Sequence, residues 1–194
     1  MKTLLAFILF ALSSLTYVNA TDNKTIRIST KDTDLILQVG ENGRLYQTYL
    51  GEKLLHEQDL QHFQWNIHAG SDGSVSKRGW EVYSGSGNED FFEPAISITH
   101  HDGNPSTILY YVSSSDKAVE GGTETTILLR DDRYPVEVTL HYIAYPKENI
   151  IKTWSEIRHQ EKKPVTLSSY ASTMLYFNNS GYYLTEFSSD WAKE

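Results

Sequence analysis

The stretch from Val136 to Ile143 admits one local structure. Val136, Val138, Leu140 and Tyr142 occupy every second position, and Glu137, Thr139, His141 and Ile143 stand between them. Side chains of an extended chain point alternately to two faces, so the first set turns inward and the second outward. A slip of one residue would bury Glu137 and His141 and expose the apolar set, so the pairing register is constrained as well. The same period recurs at Ile26 and Ile28, and again at Leu35, Leu37 and Val39, each reading as a half-buried strand.

Turn formers separate these strands at short intervals. Gly40-Glu41-Asn42-Gly43 predicts a hairpin, with Asn42-Gly43 supplying positive backbone angles, and Leu45 to Leu50 returns as the partner strand. Ala95, Ile96 and Ile98 lead to the turn Asp102-Gly103-Asn104-Pro105, and Ile108 to Val112 comes back. A polar excursion through Lys117 and Gly121-Gly122 precedes the β-branched run Thr125 to Arg130. Asp131 to Pro135 then turns the chain into Val136. Ile150 to Ile157, the turn Glu161 to Pro164, Val165 to Leu175 and Tyr182 to Phe187 complete the set, and only Leu54 to His62 has a short helical spacing. Roughly ten strands with charged turns predict an all-β fold, a large antiparallel β-sandwich.

The chain opens differently. Lys2, the apolar run Leu4 to Leu12, a serine-rich stretch and Val18-Asn19-Ala20 form the pattern of a secretory signal peptide over residues 1–20, cut after Ala20. The run is well short of the roughly 20 residues that span a bilayer. No cysteine follows it, which excludes the usual lipid attachment, so residues 21–194 are expected as one exported domain, periplasmic or extracellular, with no membrane partner. The absence of cysteine also removes disulfides, thiolate catalysis and cysteine-ligated zinc, which leaves packing to stabilise the fold. The 25 acidic residues outnumber the 17 basic ones, and losing Lys2 with the leader adds one further unit of negative charge. This balance argues against nucleic acid as a partner. His62, His68 and Asp72 match no established ligand spacing, so no metal is expected there. With no nucleotide-binding glycine loop and no G-x-S-x-G elbow, no cofactor is expected either.

Leu54 to Gly87 is a long segment without periodicity, which marks functional or mobile loops. It ends in Gly87-Asn88-Glu89-Asp90-Phe91-Phe92-Glu93-Pro94-Ala95. Gly85 and Gly87 allow backbone angles that other residues avoid, Asn88 suits a turn, and Pro94 stops any helix at Glu93. Read from the residues alone, this is a turn followed by the first residue of a core strand.

Gly87 to Ala95 also resembles the G-x-x-D-F-R-x-P-A loop in the N-terminal domain of the bacterial alpha-galactosidases of glycoside hydrolase family 36. Further matches follow in the family's order: Leu109 to Ser113, Val136 to Tyr142, Val165 to Ser172, and Tyr183 to Glu194, which is similar to the signature L-x-x-x-G-x-W-x-R-E. The resemblance runs from Leu35 to Glu194. Phe92 stands where the family has arginine, and Lys193 is the signature's basic residue.

The resemblance implies a supersandwich-like domain, incomplete at its C-terminal end, with further strands and a (β/α)₈ barrel to follow. It implies a parent enzyme that hydrolyses terminal alpha-galactosides such as melibiose and raffinose with retention. Two barrel aspartates do this chemistry, about 5 Å apart as in other retaining enzymes. No catalytic residue is then expected in this chain, which by itself is expected to be inactive. The implied partners are alpha-galactoside oligosaccharides through the parent enzyme, the C-terminal barrel, and identical subunits in a homo-oligomer. The segment before the loop is expected to carry Trp65, Asp72, Arg78 and Trp80 to the rim of the sugar pocket, and Trp191 to pack the junction between sandwich and barrel. Asp90 matches the aspartate of the family loop; it either approaches the galactose pocket or accepts backbone N–H bonds within a turn. Two other readings remain open at this point: a stand-alone carbohydrate-binding sandwich that stacks sugars on Trp65, Trp80 and tyrosines, and an assembly domain with no ligand.

Overall fold

The structure, a computed structural model, describes residues 24–63, 80–87 and 93–177 together with 181, 183 and 185. Residues 1–20 and the candidate residues Trp65, Asp72, Arg78, Asp90 and Trp191 lie outside the described residues, as do Phe92 and Lys193. Among the described residues ten strands follow in order: β1 (Thr25–Ser29), β2 (Thr33–Val39), β3 (Leu45–Glu52), β4 (Trp80–Glu81), β5 (Ile96–Thr99), β6 (Leu109–Val119), β7 (Gly122–Asp131), β8 (Val136–Tyr145), β9 (Ile150–His159) and β10 (Thr166–Tyr170). Their ladders are all antiparallel and form three sheets, ordered β1-β2-β3-β4, β6-β7-β8-β9 and β5-β10. The one helical element among the described residues is a 3-10 turn, Glu57–Phe63, where the helical spacing falls.

The predicted alternation decides how the sheets meet. In β8 the side chains of Val136, Val138, Leu140 and Tyr142 are buried, and they join Ile127 and Leu129 of β7 in one apolar cluster with Ile26, Ile28, Leu35, Leu37 and Leu45 of the first sheet. Ile96, Ile98 and Leu109 complete it, so this all-β chain is a sandwich with a single core. Each fully buried leucine or isoleucine contributes about 1.5–3 kcal/mol relative to an exposed one.

Three elements depart from the expected boundaries. β6 runs straight through the polar excursion, because Ser115 to Val119 pair residue by residue with β7 from Thr126 to Gly122, and a bulge between Tyr111 and Ser113 adjusts the register. Most of that half of the strand is exposed, so no apolar period marks it. β4 lies in the segment that has no periodicity; its two residues pair with Tyr46 and Gln47. β10 is shorter than Val165 to Leu175 and exposed at every position.

Polar side chains tie the sheet ends together. Asp34 is fully buried, and its carboxylate accepts bonds from Arg27 Nη2 (2.6 Å), Ser29 Oγ (2.5 Å) and the Leu54 amide (2.8 Å). Burial alone pushes this carboxyl up, but the bonds from Arg27, Ser29 and Leu54 bring it below its ordinary value. Between the sheets, Asn149 of the β8–β9 turn accepts the Asp32 amide (3.2 Å) and the Thr30 hydroxyl through Oδ1, with its own backbone in the left-handed region at φ 56°. Alanine here loses both bonds and keeps the strained angle, whereas glycine loses the bonds and relieves the angle. We expect Asn149→Ala to lower stability by about 1–3 kcal/mol and Asn149→Gly by less, read from urea midpoints. Equal losses in the two variants would show that the backbone angle carries no cost.

Candidate functional site

The described residues on either side of the family-like loop form a closed root. Ile96 donates its amide to the Ser84 carbonyl (3.1 Å), and the Ser86 amide donates to the Ile96 carbonyl (3.1 Å), so Gly85 and Ile96 form a bridge. The Ala95 amide donates to Ser84 Oγ (3.3 Å), and the Ala95 carbonyl accepts the Ala171 amide (2.7 Å) just beyond β10. On the opposite side the Thr107 amide donates to the Ser86 carbonyl (2.9 Å), while Ser86 Oγ donates to the Pro105 carbonyl (2.6 Å). Both glycines are required here, for different reasons. Gly87 has φ 77°, as its place in a turn suggests, whereas Gly85 needs no unusual angle: a Cβ on it would collide with the Thr107 carbonyl. A Cβ on Gly87 would likewise meet Ser106.

Trp80 is the one candidate residue among those described. It is half-buried at the start of β4, and its ring stacks on Tyr176 with centroids 5.5 Å apart and planes 1° from parallel. Tyr176 is itself fixed: Gln47 bonds its backbone twice, Nε2 to the carbonyl (2.6 Å) and Oε1 from the amide (3.1 Å), and its hydroxyl donates to the Glu81 carbonyl (2.9 Å). The Glu81 side chain is held by Arg44, with Nε to Oε1 at 2.9 Å and Nη2 to Oε2. Trp80 is thus placed at the sheet edge, with Tyr176 against its ring, four residues ahead of Ser84.

Behind the root lies a cluster that the sequence analysis did not single out. Glu161, 1 % exposed in its side chain, receives His100 Nδ1 on Oε1 (2.7 Å), and His101 Nδ1 (2.6 Å) and the His101 amide (3.1 Å) on Oε2. The buried His100 ring reaches the Ser106 carbonyl (3.1 Å) and Thr107 Oγ1 (3.2 Å) through Nε2. It stacks on Tyr134 at 3.5 Å, and the Tyr134 hydroxyl donates to Asp102 (2.9 Å) and accepts Asn104 Nδ2 (2.9 Å). Glu161 and His100 lie 61 positions apart, and neither forms a motif with its neighbours. The sequence signal was limited to two adjacent histidines before a turn and a carboxylate in another turn.

Two grooves, about 290 and 580 Å³, lie on the outer face of β7, β8 and β9, around Glu137 and Arg158. Trp80, the candidate among the described residues, is not part of their lining. Among the described residues no group of three or more histidine, aspartate or glutamate side chains is arranged so that it could hold a metal ion.

Burial pushes the Glu161 carboxyl up, but the bonds from His100 and His101 outweigh it and hold the group at about 2, below its ordinary 4.5. A carboxylate with a depressed value in the folded state stabilises the fold above its unfolded value, and this is lost as pH falls through the folded one. Urea midpoints of the wild type and Glu161→Gln are expected to differ at neutral pH and to converge as the pH falls from about 4.5 to about 2. A gap that stays constant across that window would rule out the charge of Glu161 as its source.

Comparison with known proteins completes the picture. Residues 43–194 match the profile described as the glycosyl hydrolase family 36 N-terminal domain. Among solved structures, the chain superposes on an alpha-galactosidase from Lactobacillus brevis with a TM-score of 0.64 and 18% identity, covering 78% of this chain and 23% of that one. The family 36 alpha-galactosidase AgaB from Geobacillus stearothermophilus gives 0.65 and 21%, covering 79% and 24%. A variant of AgaA from the same organism, solved with raffinose, gives 0.65 and 22%, covering 77% and 24%. The chain therefore spans about a quarter of the length of these structures. Comparison with curated proteins gives no match. At these identities the structures establish a shared fold, while the profile covers most of the sequence from Gly43 onward. The chain belongs to glycoside hydrolase family 36, whose N-terminal domain it represents.

Proposed function

We propose that this chain is the N-terminal β-sandwich of an exported alpha-galactosidase that removes terminal alpha-linked galactose from oligosaccharides such as melibiose and raffinose, with retention of configuration. The observation that carries the reading is the family match over residues 43–194, on a fold shared with alpha-galactosidases about four times as long. The reacting carboxylates belong to a barrel outside this chain, and the sandwich supports that barrel, contributes to subunit packing, and lends Asp90 and Trp80 to the pocket rim. The described surface agrees with a covering partner: β10 is exposed throughout, and Leu167, Tyr170, Leu175 and Phe177 are exposed on the same stretch of chain. Exposed apolar side chains gathered in one stretch of chain suit contact with further polypeptide of the same protein.

The test is an assay of the complete gene product beside residues 21–194 alone. The complete product is expected to cleave a chromogenic alpha-galactoside and release the alpha anomer first, as seen by proton NMR, and the shorter chain is expected to give no turnover. Turnover by the shorter chain would move the chemistry into the sandwich, and early release of the beta anomer would exclude the retaining pathway.

A further inference from the structure

The loop root is in contact with a rigid neighbour. Ser86 is bonded to Pro105 and Thr107 on one side, and the two glycines allow Ser106 and Thr107 to approach closer than any side chain would permit. A close-packed contact has no slack, so a displacement of Ser106 is passed on to Ser86 and Gly87. Ser106 and Thr107 are in turn held by His100 Nε2, whose ring is fixed by the Tyr134 stack and by Glu161 on Nδ1. The path Glu161, His100, Ser106–Thr107, Ser86–Gly87 is continuous, and both ionisable groups at its start are buried.

A buried carboxylate–imidazole contact is costly to break and imposes one geometry on both groups. We propose that Glu161 and His100 are positioning residues for the root formed by Ser84 to Gly87 with Ala95 and Ile96, acting through Ser106 and Thr107. Its bearing on substrate rests on the reading of Asp90 and Trp80 as part of the substrate-pocket rim. Its consequence is that a turn between β9 and β10 sets how this root is held. Tyr134 serves the same end, since Asp102 and Asn104 pin its hydroxyl and its ring backs His100.

Hydrogen exchange of the full chain separates this role from plain stabilisation. In Glu161→Gln the amides of Ser86 and Thr107 are expected to exchange about tenfold faster, while those of Ile127 and Leu140 in the central strands keep their rates. Gly85→Ala, which drives a Cβ into the Thr107 carbonyl, gives the pattern of a displaced root for reference. Equal acceleration at every amide would overturn the proposal, and so would unchanged rates at Ser86 and Thr107 in a folded variant. Should Glu161→Gln fail to fold, Asp102→Asn replaces the carboxylate oxygen that accepts the Tyr134 hydroxyl and keeps an oxygen for the Asn104 amide. A smaller rise at the same two amides is expected there, and its absence overturns the proposal. In the complete gene product, Glu161→Gln is expected to raise KM for an alpha-galactoside more than it lowers kcat. A loosened root with unchanged KM would leave the positioning role standing and sink the rim reading.

Discussion

The inward row of β8, Val136, Val138, Leu140 and Tyr142, is the surface on which this fold is assembled. It lies in the middle of a four-stranded sheet, paired with β7 on one side and β9 on the other, and it meets the apolar face of β1, β2 and β3 across the core. Because the row is contiguous and fully apolar, the two sheets have one favourable way to stack. The two-stranded sheet of β5 and β10 adjoins that contact, with Ile96 and Ile98 of β5 in the same core.

Loops in such a sandwich are not held by the core, so their order comes from polar staples. Asp131 shows the pattern: Oδ2 accepts the Ile108 amide (2.7 Å), and Oδ1 accepts the amides of Arg133 and Tyr134 (2.8 and 2.7 Å). Asp34 does the same at the exit of β3, and Glu161 at the approach to β10. Each carboxylate replaces water with several directed donors, which is what allows a charged group to be buried among strand ends. The Tyr134 that Asp131 positions is the one that backs His100, so two of these staples act in series.

This arrangement accounts for the division of labour expected in the family. A sheet core is tolerant of sequence change as long as the alternation survives, and the solved relatives keep the fold at about a fifth identity. Close approach of two chain segments is less forgiving: Ser106 and Thr107 lie so near Gly85 and Gly87 that a Cβ on either glycine would collide with them. Phe92 stands where the family-like motif has arginine, so the chain lacks a forked donor at that position of the sequence.

Local periodicity and turn chemistry were enough to read most of the strands, the hairpin at Asn42-Gly43, the inward face of β8 and the positive angle at Gly87, because each is written within a few neighbouring residues. The family-like stretches identified the domain for the same reason. The outer half of β6 was illegible, since it is held by its backbone ladder to β7 and mostly exposed, and a ladder leaves no mark on side-chain pattern. The reason for Gly85 was equally hidden: it answers to a carbonyl 22 positions away, not to its own φ. Glu161 and His100 are the sharpest case. The sequence by itself determined that one residue sits in a charged turn and the other at the end of a strand. Only the tertiary structure decided that they meet, because their contact depends on three loops converging at one end of the sandwich, and no spacing along the chain encodes that approach.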